Sequence, residues 1–171
     1  MSSNSSLRAP KGRSNLAFKE IASVASLPRN DRTSKDCLFR IIDANFNRSR
    51  EGLRVCEEVA RFIWNSHSLT RELKAVRHSI TNILKNVPAA SRMILKTRDV
   101  KSDVGRIERE KSEMRRLDYS DIFGANIERA KESLRVLEEF FKLTDKNVSA
   151  KFTKLRFKVY EIEKKALSRL R

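Results

Sequence analysis

DANFNRSREGLRVCEEVARF, residues 43–62, aligns without a gap on GANIERAKESLRVLEEFFKL, residues 124–143. Nine of the twenty positions are identical at a constant offset of 81. A shared helical pattern would repeat residue classes, but not Asn, Arg, Glu, Leu-Arg-Val and Glu-Glu in one order. Both copies lack proline and carry apolar residues at helical spacing, so each reads as a long amphipathic helix. The segments downstream match more weakly, with Leu69, Leu73, Val76, Arg77 and Ile80 facing Val148, Phe152, Leu155, Arg156 and Val159. A helix and its partner, occurring twice, predict an all-α helical bundle of two pseudo-symmetric helical hairpins joined by a charged connector.

Working outward, the first helix is expected over residues 38–64, with Ile41, Val55, Val59 and Phe62, widened by Leu38, Cys56 and Ile63, on its buried face. Asn65-Ser66 marks a break, and Ser68 is the expected cap of a second helix to Lys85. Pro88 opens a short helix to Thr97. Two more helices are expected over 117–143 and 148–169, so the repeats span 38–85 and 117–170 around a connector at 86–116. Residues 1–36 are polar, Ser/Arg-rich and broken by Pro10, Gly12, Pro28 and Asn30, and read as a flexible extension to a single domain at 37–171. Four glycines and three prolines are too few to punctuate a many-stranded sheet.

The net charge of +16 points to an anionic partner, whether nucleic acid, lipid or a phosphorylated small molecule. No apolar run is long enough to span a bilayer. Cys37 and Cys56, nineteen residues apart, fit neither a metal motif nor a disulfide framework, which suggests a reducing, cytoplasmic compartment. Cys56 reads as a small core residue and not as a nucleophile. His67 and His78 form no metal pair with a cysteine, and no glycine-rich phosphate loop occurs.

Asn45 and Arg48 interrupt the apolar stripe 41/45/48/52/55/59/62, and Asn126 and Arg129 interrupt its counterpart at the same two places. A small residue follows in each, Gly52 or Ser133, leaving space where a side chain would otherwise fill. Buried amides and guanidinium groups need partners, and Glu51 and Glu132 stand at i+3 from the arginines. Two readings are open: an internal polar network that docks the hairpins, or a ligand site. The connector RDVKSDVG, residues 98–105, adds two carboxylates, two cations and a glycine; Asp99 and Asp103 could serve Mg²⁺, or the loop could be a solvated connection.

Residues 40–55, RIIDANFNRSREGLRV, followed by Glu57-Glu58 and Arg61-Phe62, resemble the signature of a small all-helical bacterial family of hydroxymethylpyrimidine phosphate kinases in thiamine biosynthesis. Leu73 to His78, Arg98-Asp99 with Asp103-Val104-Gly105, and Ala125 to Glu139 are similar to its pattern in the same order, whereas Val100 and Lys101 depart from it. Members often occur fused to thiamine-phosphate synthase, so a functional association with that enzyme is implied. With no synthase segment after Arg171, a stand-alone form is expected.

The resemblance implies ATP-dependent phosphorylation of 4-amino-5-hydroxymethyl-2-methylpyrimidine phosphate, with ATP and Mg²⁺ as cofactors. That chemistry fits the stripe and connector residues, with Arg48, Arg129 and Arg98 expected as catalytic cations, Asn45, Asn126, Arg77, Glu51 and Glu132 as substrate contacts, and Asp99 and Asp103 as metal ligands. The pseudo-two-fold axis could place one Asn-Arg set on each substrate. The competing expectation is a basic helical module binding RNA or an acidic protein; Lys146, Lys151, Lys154, Lys158, Lys164 and Lys165 on the last helix read as a solvated face but keep that alternative open.

Overall fold

The computed structural model describes residues 31–98 and 115–168, and within these the chain is all-α. The helices are α1 (Asp31–Glu58), α2 (His67–Lys85), α3 (Pro88–Thr97), α4 (Tyr119–Phe141) and α5 (Lys146–Leu167). Each α-hairpin has its own entry signal. Asn65 takes a left-handed φ of 47°, which asparagine tolerates, and turns the chain between α1 and α2. Ser66 occupies the N-cap of α2, so the expected cap at Ser68 lies two residues too far along. Asp118 caps α4 by accepting from the Asp121 N–H, and Asp145 caps α5 by accepting from Asn147 and Val148.

α1 starts at Asp31, inside the stretch expected to be an extension. No Pro or Gly lies between Pro28 and Gly52, and Leu38 and Phe39 pack against the core, so the anchored helix propagates upstream. Its far end passes into a π-helical turn, Val59–Ile63, in which the Trp64 N–H donates to the Val59 carbonyl at 3.0 Å.

α1 packs on α4, α4 on α5, α5 on α2 and α2 on α1, closing a four-helix ring, with α3 laid against α1. The central pair is antiparallel: Gly52 meets Asn126 and Ala130, the Cys56 Sγ reaches the Phe123 carbonyl at 3.5 Å, and the Trp64 ring lies 4.7 Å from Phe123. Leu69, Leu73, Val76 and Ile80 of α2 and Val148, Phe152, Val159 and Ile162 of α5 are all buried, as their spacing indicates.

The buried face of α1 is rotated by about one residue, some 100°, from the stripe expected. Ile42, Phe46, Ser49, Leu53, Cys56 and Ala60 are its core positions. Val59 is buried as expected, but Val55 is 36% exposed, Phe62 64% and Ile63 45%; the counterpart Leu143, two residues past the end of α4, is 67% exposed. The π turn adds a residue to the last turn of α1 and helps carry Phe62 and Ile63 outward. Gly52 does not leave a void for a ligand. A Cβ there would stand 2.6 Å from the Asn126 carbonyl oxygen, so its small size lets α1 and α4 touch backbone to backbone.

Candidate functional site

The repeated Glu-Glu pair builds one polar lock in each hairpin. Glu57 is buried and accepts from Arg54 on its own helix at 3.2 Å and from Arg77 Nε on α2 at 3.0 Å. Glu138 is equally buried and accepts from Arg135 at 2.5 Å and from Arg156 Nε on α5 at 2.9 Å. Arg54 and Arg135 extend the lock to Glu58 and Glu139 at the helix surface. An internal polar network therefore exists, but its members are not Asn45, Arg48 and Glu51. Among the described residues neither Arg48 with Glu51 nor Arg129 with Glu132 forms an ion pair, and all four side chains are exposed. Asn45 and Asn126 each turn one Nδ2 hydrogen to the carbonyl four residues back, Ile41 at 2.9 Å and Ile122 at 2.8 Å.

Arg48 instead faces a cleft of about 680 Å³ along the outer side of α1. Asn45, Glu51 and Arg98 line it too, with Arg40, Asp43 and Asn47. Arg98 comes from 55 residues away, at the C-cap of α3, and is held as a two-pronged pair on Asp43: Nε donates to Oδ2 and Nη2 to Oδ1, both at 2.6 Å. Asn47 donates to the same Oδ1 at 2.9 Å. The hydrogen bond from Arg98 to Asp43 raises the guanidinium's pKa further, so it is a permanent cation. Nothing in the helical periodicity marks Asp43 as a site residue, although it opens the repeated stretch. The available signal was its absence from the second copy, where Gly124 stands in its place.

The cleft brings together Asn45, Arg48, Glu51 and Arg98 from the expected set. Asn126, Arg129 and Glu132 are not among its lining, and Arg77, locked to Glu57, borders a smaller adjoining cleft. Asp99 and Asp103 lie outside the described residues. Within the described residues no three His, Cys, Asp or Glu side chains cluster as metal ligands, and no helix is long and apolar enough to cross a membrane. Asp43 is committed to Arg98 and Asn47. Burial pushes the Cys56 thiol pKa far above its ordinary value, which fits a core residue and leaves no nucleophile there. On α5, Lys158 and Lys165 are both paired with Glu72 of α2, so part of the lysine face serves the hairpin interface.

The described residues form an all-α bundle built from a duplicated hairpin, with a cleft on the first copy lined by Arg40, Arg48 and Arg98. The chain belongs to the ThiD2 family, which it matches over residues 40–165. It is 38% identical over 123 residues to a thiamine-phosphate synthase of Rhodopirellula baltica, covering 72% of this chain and 32% of that one. It is 37% identical over 132 residues to a thiamine-phosphate synthase of Synechocystis (77% and 37%) and 35% over 126 residues to that of Nostoc punctiforme (74% and 34%). The chain thus spans about a third of the length of these relatives. No solved structure matches it.

Proposed function

We propose that the chain is an enzyme of thiamine biosynthesis, a kinase that converts 4-amino-5-hydroxymethyl-2-methylpyrimidine phosphate to its diphosphate with Mg²⁺-ATP. The observation that carries this reading is the cleft itself. The family's most specific block places Asn45 and Arg48 on its wall, and Asp43 of the same block fixes Arg98 opposite.

The acceptor is a phosphate monoester, largely dianionic at neutral pH because its second pKa is about 6. One of its oxygens can bond to the γ-phosphorus while the β–γ bridging bond breaks and ADP departs, with no proton to remove first. This suits a cleft with no histidine among its described lining residues. The barrier is repulsion between two polyanions, and fixed cations lower it. Arg48, exposed and unpaired among the described residues, can close on a phosphate, while Arg98 is pre-oriented by Asp43. The Asn45 amide has Oδ1 and one Nδ2 hydrogen left after bonding Ile41, a donor–acceptor pair that matches an amino group beside a ring nitrogen. Mg²⁺ would neutralise the donor's phosphates, and we assign it to Asp99 and Asp103, which follow Arg98 in sequence. The match to a third of several thiamine-phosphate synthases supports a functional association with that activity.

The test is direct. Purified protein is incubated with ATP, Mg²⁺ and the pyrimidine monophosphate, and the diphosphate is sought by mass spectrometry. Formation of ADP and diphosphate in equal amounts is expected. No diphosphate, or equal turnover of the unphosphorylated alcohol, overturns the reading.

A further inference from the structure

The two repeats treat the cation at one repeated position, Lys131 or Arg50, in opposite ways. Lys131 of α4 is neutralised by Glu128 at 2.5 Å and by Glu163 of α5 at 2.7 Å, and lies 5.4 Å from the Tyr160 ring centre. Burial depresses its pKa, but the hydrogen bonds to both carboxylates outweigh that and raise it. Arg156 is likewise satisfied: besides Glu138, its Nη1 donates to the Tyr160 hydroxyl at 3.1 Å, and its guanidinium lies over the Phe157 ring at 5.0 Å.

In the first repeat the equivalent cations are Arg50 and Arg77, and four supporting positions have changed together. Glu128 becomes Asn47, Glu163 becomes Leu84, Tyr160 becomes Thr81 and Phe157 becomes His78. Both neutralising carboxylates and the tyrosine ring are gone, and a shorter threonine hydroxyl stands where the phenol was. Arg50 keeps a contact with the Phe46 ring at 5.2 Å, but its buried Nε has no hydrogen-bond acceptor. Arg77 uses Nε on Glu57, and Thr81 directs its hydroxyl to the Arg77 carbonyl instead of the guanidinium. Beside them lies a cleft of about 380 Å³ lined by Asn47, Arg50, Glu51, Arg54, Val55 and Arg77. It shares Asn47 and Glu51 with the larger cleft, so the two adjoin along α1.

We propose that Arg50, with Arg54 and Arg77, forms a phosphoryl-anion subsite on the first repeat, adjoining the Arg48–Arg98 cleft. A guanidinium whose nitrogen is buried without an acceptor is costly unless an anion completes it. The nearby carboxylates do not complete it: Glu57 is taken by Arg54 and Arg77, Glu58 Oε1 is ion-paired with Arg54 Nη2 at 2.6 Å though without hydrogen-bond geometry, and Glu51 is exposed. The three arginines therefore carry one positive charge more than the pairs they form. Naming the ligand as the terminal phosphates of the nucleotide donor rests on the kinase reading; recognition of a phosphoryl anion does not.

The probe is inorganic pyrophosphate, titrated into the full chain by calorimetry. Binding is expected, and Arg50→Gln should weaken it tenfold or more. Leu84→Glu, which restores the carboxylate present at position 163 of the second repeat, should weaken it similarly. Should that variant fail to fold, Arg50→Gln carries the test, since residue 50 is a partly exposed helix position. Lys131→Gln, the equivalent change in the second repeat, should leave affinity within twofold. Absence of binding, unchanged binding in Arg50→Gln, or an equal loss in Lys131→Gln overturns the subsite. A chain that binds pyrophosphate through Arg50 yet makes no diphosphate would defeat the kinase reading and leave the subsite standing.

Discussion

Gly52→Ala and Gly124→Ala make the same chemical change in the middle of a helix, and the structure sends their effects in opposite directions. Each replaces glycine by the best helix former, a gain of about 1 kcal/mol. At residue 124 a Cβ meets nothing within 4 Å, so that gain should appear in full as added stability. At residue 52 the Cβ would stand 2.6 Å from the Asn126 carbonyl oxygen, against 3.4 Å for ordinary contact, and backbone cannot swing aside. The α1–α4 seam must open by about 0.8 Å, and overpacking of this kind costs about 1–3 kcal/mol. The net effect at 52 should fall between neutral and about 2 kcal/mol destabilising, which leaves the two variants about 1–3 kcal/mol apart. For a chain of this size each kcal/mol moves Tm by roughly 2–4 °C. Thermal unfolding followed by circular dichroism should therefore place Gly52→Ala several degrees below Gly124→Ala. Equal melting temperatures, or the reverse order, would show that α1 and α4 do not meet at Gly52 as described.

Arg48→Lys should cut turnover of the pyrimidine monophosphate tenfold or more, about 1.4 kcal/mol in the transition state, with little change in Tm, because this exposed side chain supports no packing. Arg129→Lys should cost far less, since Arg129 does not line the cleft; equal losses would show that the second Asn-Arg set also contacts substrate. Glu72 joins α2 to α5 through Lys158 and Lys165. Burial raises its pKa, but the hydrogen bonds from the two lysines outweigh that and lower it below the usual glutamate value. The unfolded chain then binds more protons across that window, so this stabilisation is complete above the unfolded pKa and is lost as pH falls through the folded one. The gap in Tm between wild type and Glu72→Gln should accordingly be present at pH 7 and vanish in acid; a gap that grows in acid would contradict it. Finally, Cys37 is exposed on the cleft wall and Cys56 is buried, so native protein should take up one equivalent of iodoacetamide quickly, and saturating ATP or pyrimidine phosphate should slow that reaction. Two fast thiols would place Cys56 outside the core.

The duplicated hairpin is legible in the residues alone. A repeat of twenty residues at constant offset can be satisfied only by two like elements, and the partner segments supply buried faces in Leu69, Leu73, Val76 and Ile80 and in Val148, Phe152 and Val159, with Leu155 only partly buried. The residue pattern also put Asn45, Arg48, Glu51 and Arg98 on a short list that the larger cleft gathers. What periodicity could not supply was the phase of α1. A bundle helix touches two neighbours, so its apolar arc is broad, and the stripes through Ile41 and through Ile42 are both plausible core faces until α2 and α4 are in place.

Contacts between distant segments were equally hidden. Arg98 meets Asp43 across 55 residues, and Arg77 meets Glu57 across 20, because α3 and α2 pack on α1. The same is true of the difference between the repeats. Arg50 and Lys131 look interchangeable in an alignment. Only the seating of α5 against α4 and of α2 against α1 decides it, because neutralisation requires a carboxylate within a few ångströms. Glu163 and Tyr160 close around Lys131, while the aligned positions of the first repeat are Leu84 and Thr81, which supply no carboxylate, and Arg50 Nε has no acceptor.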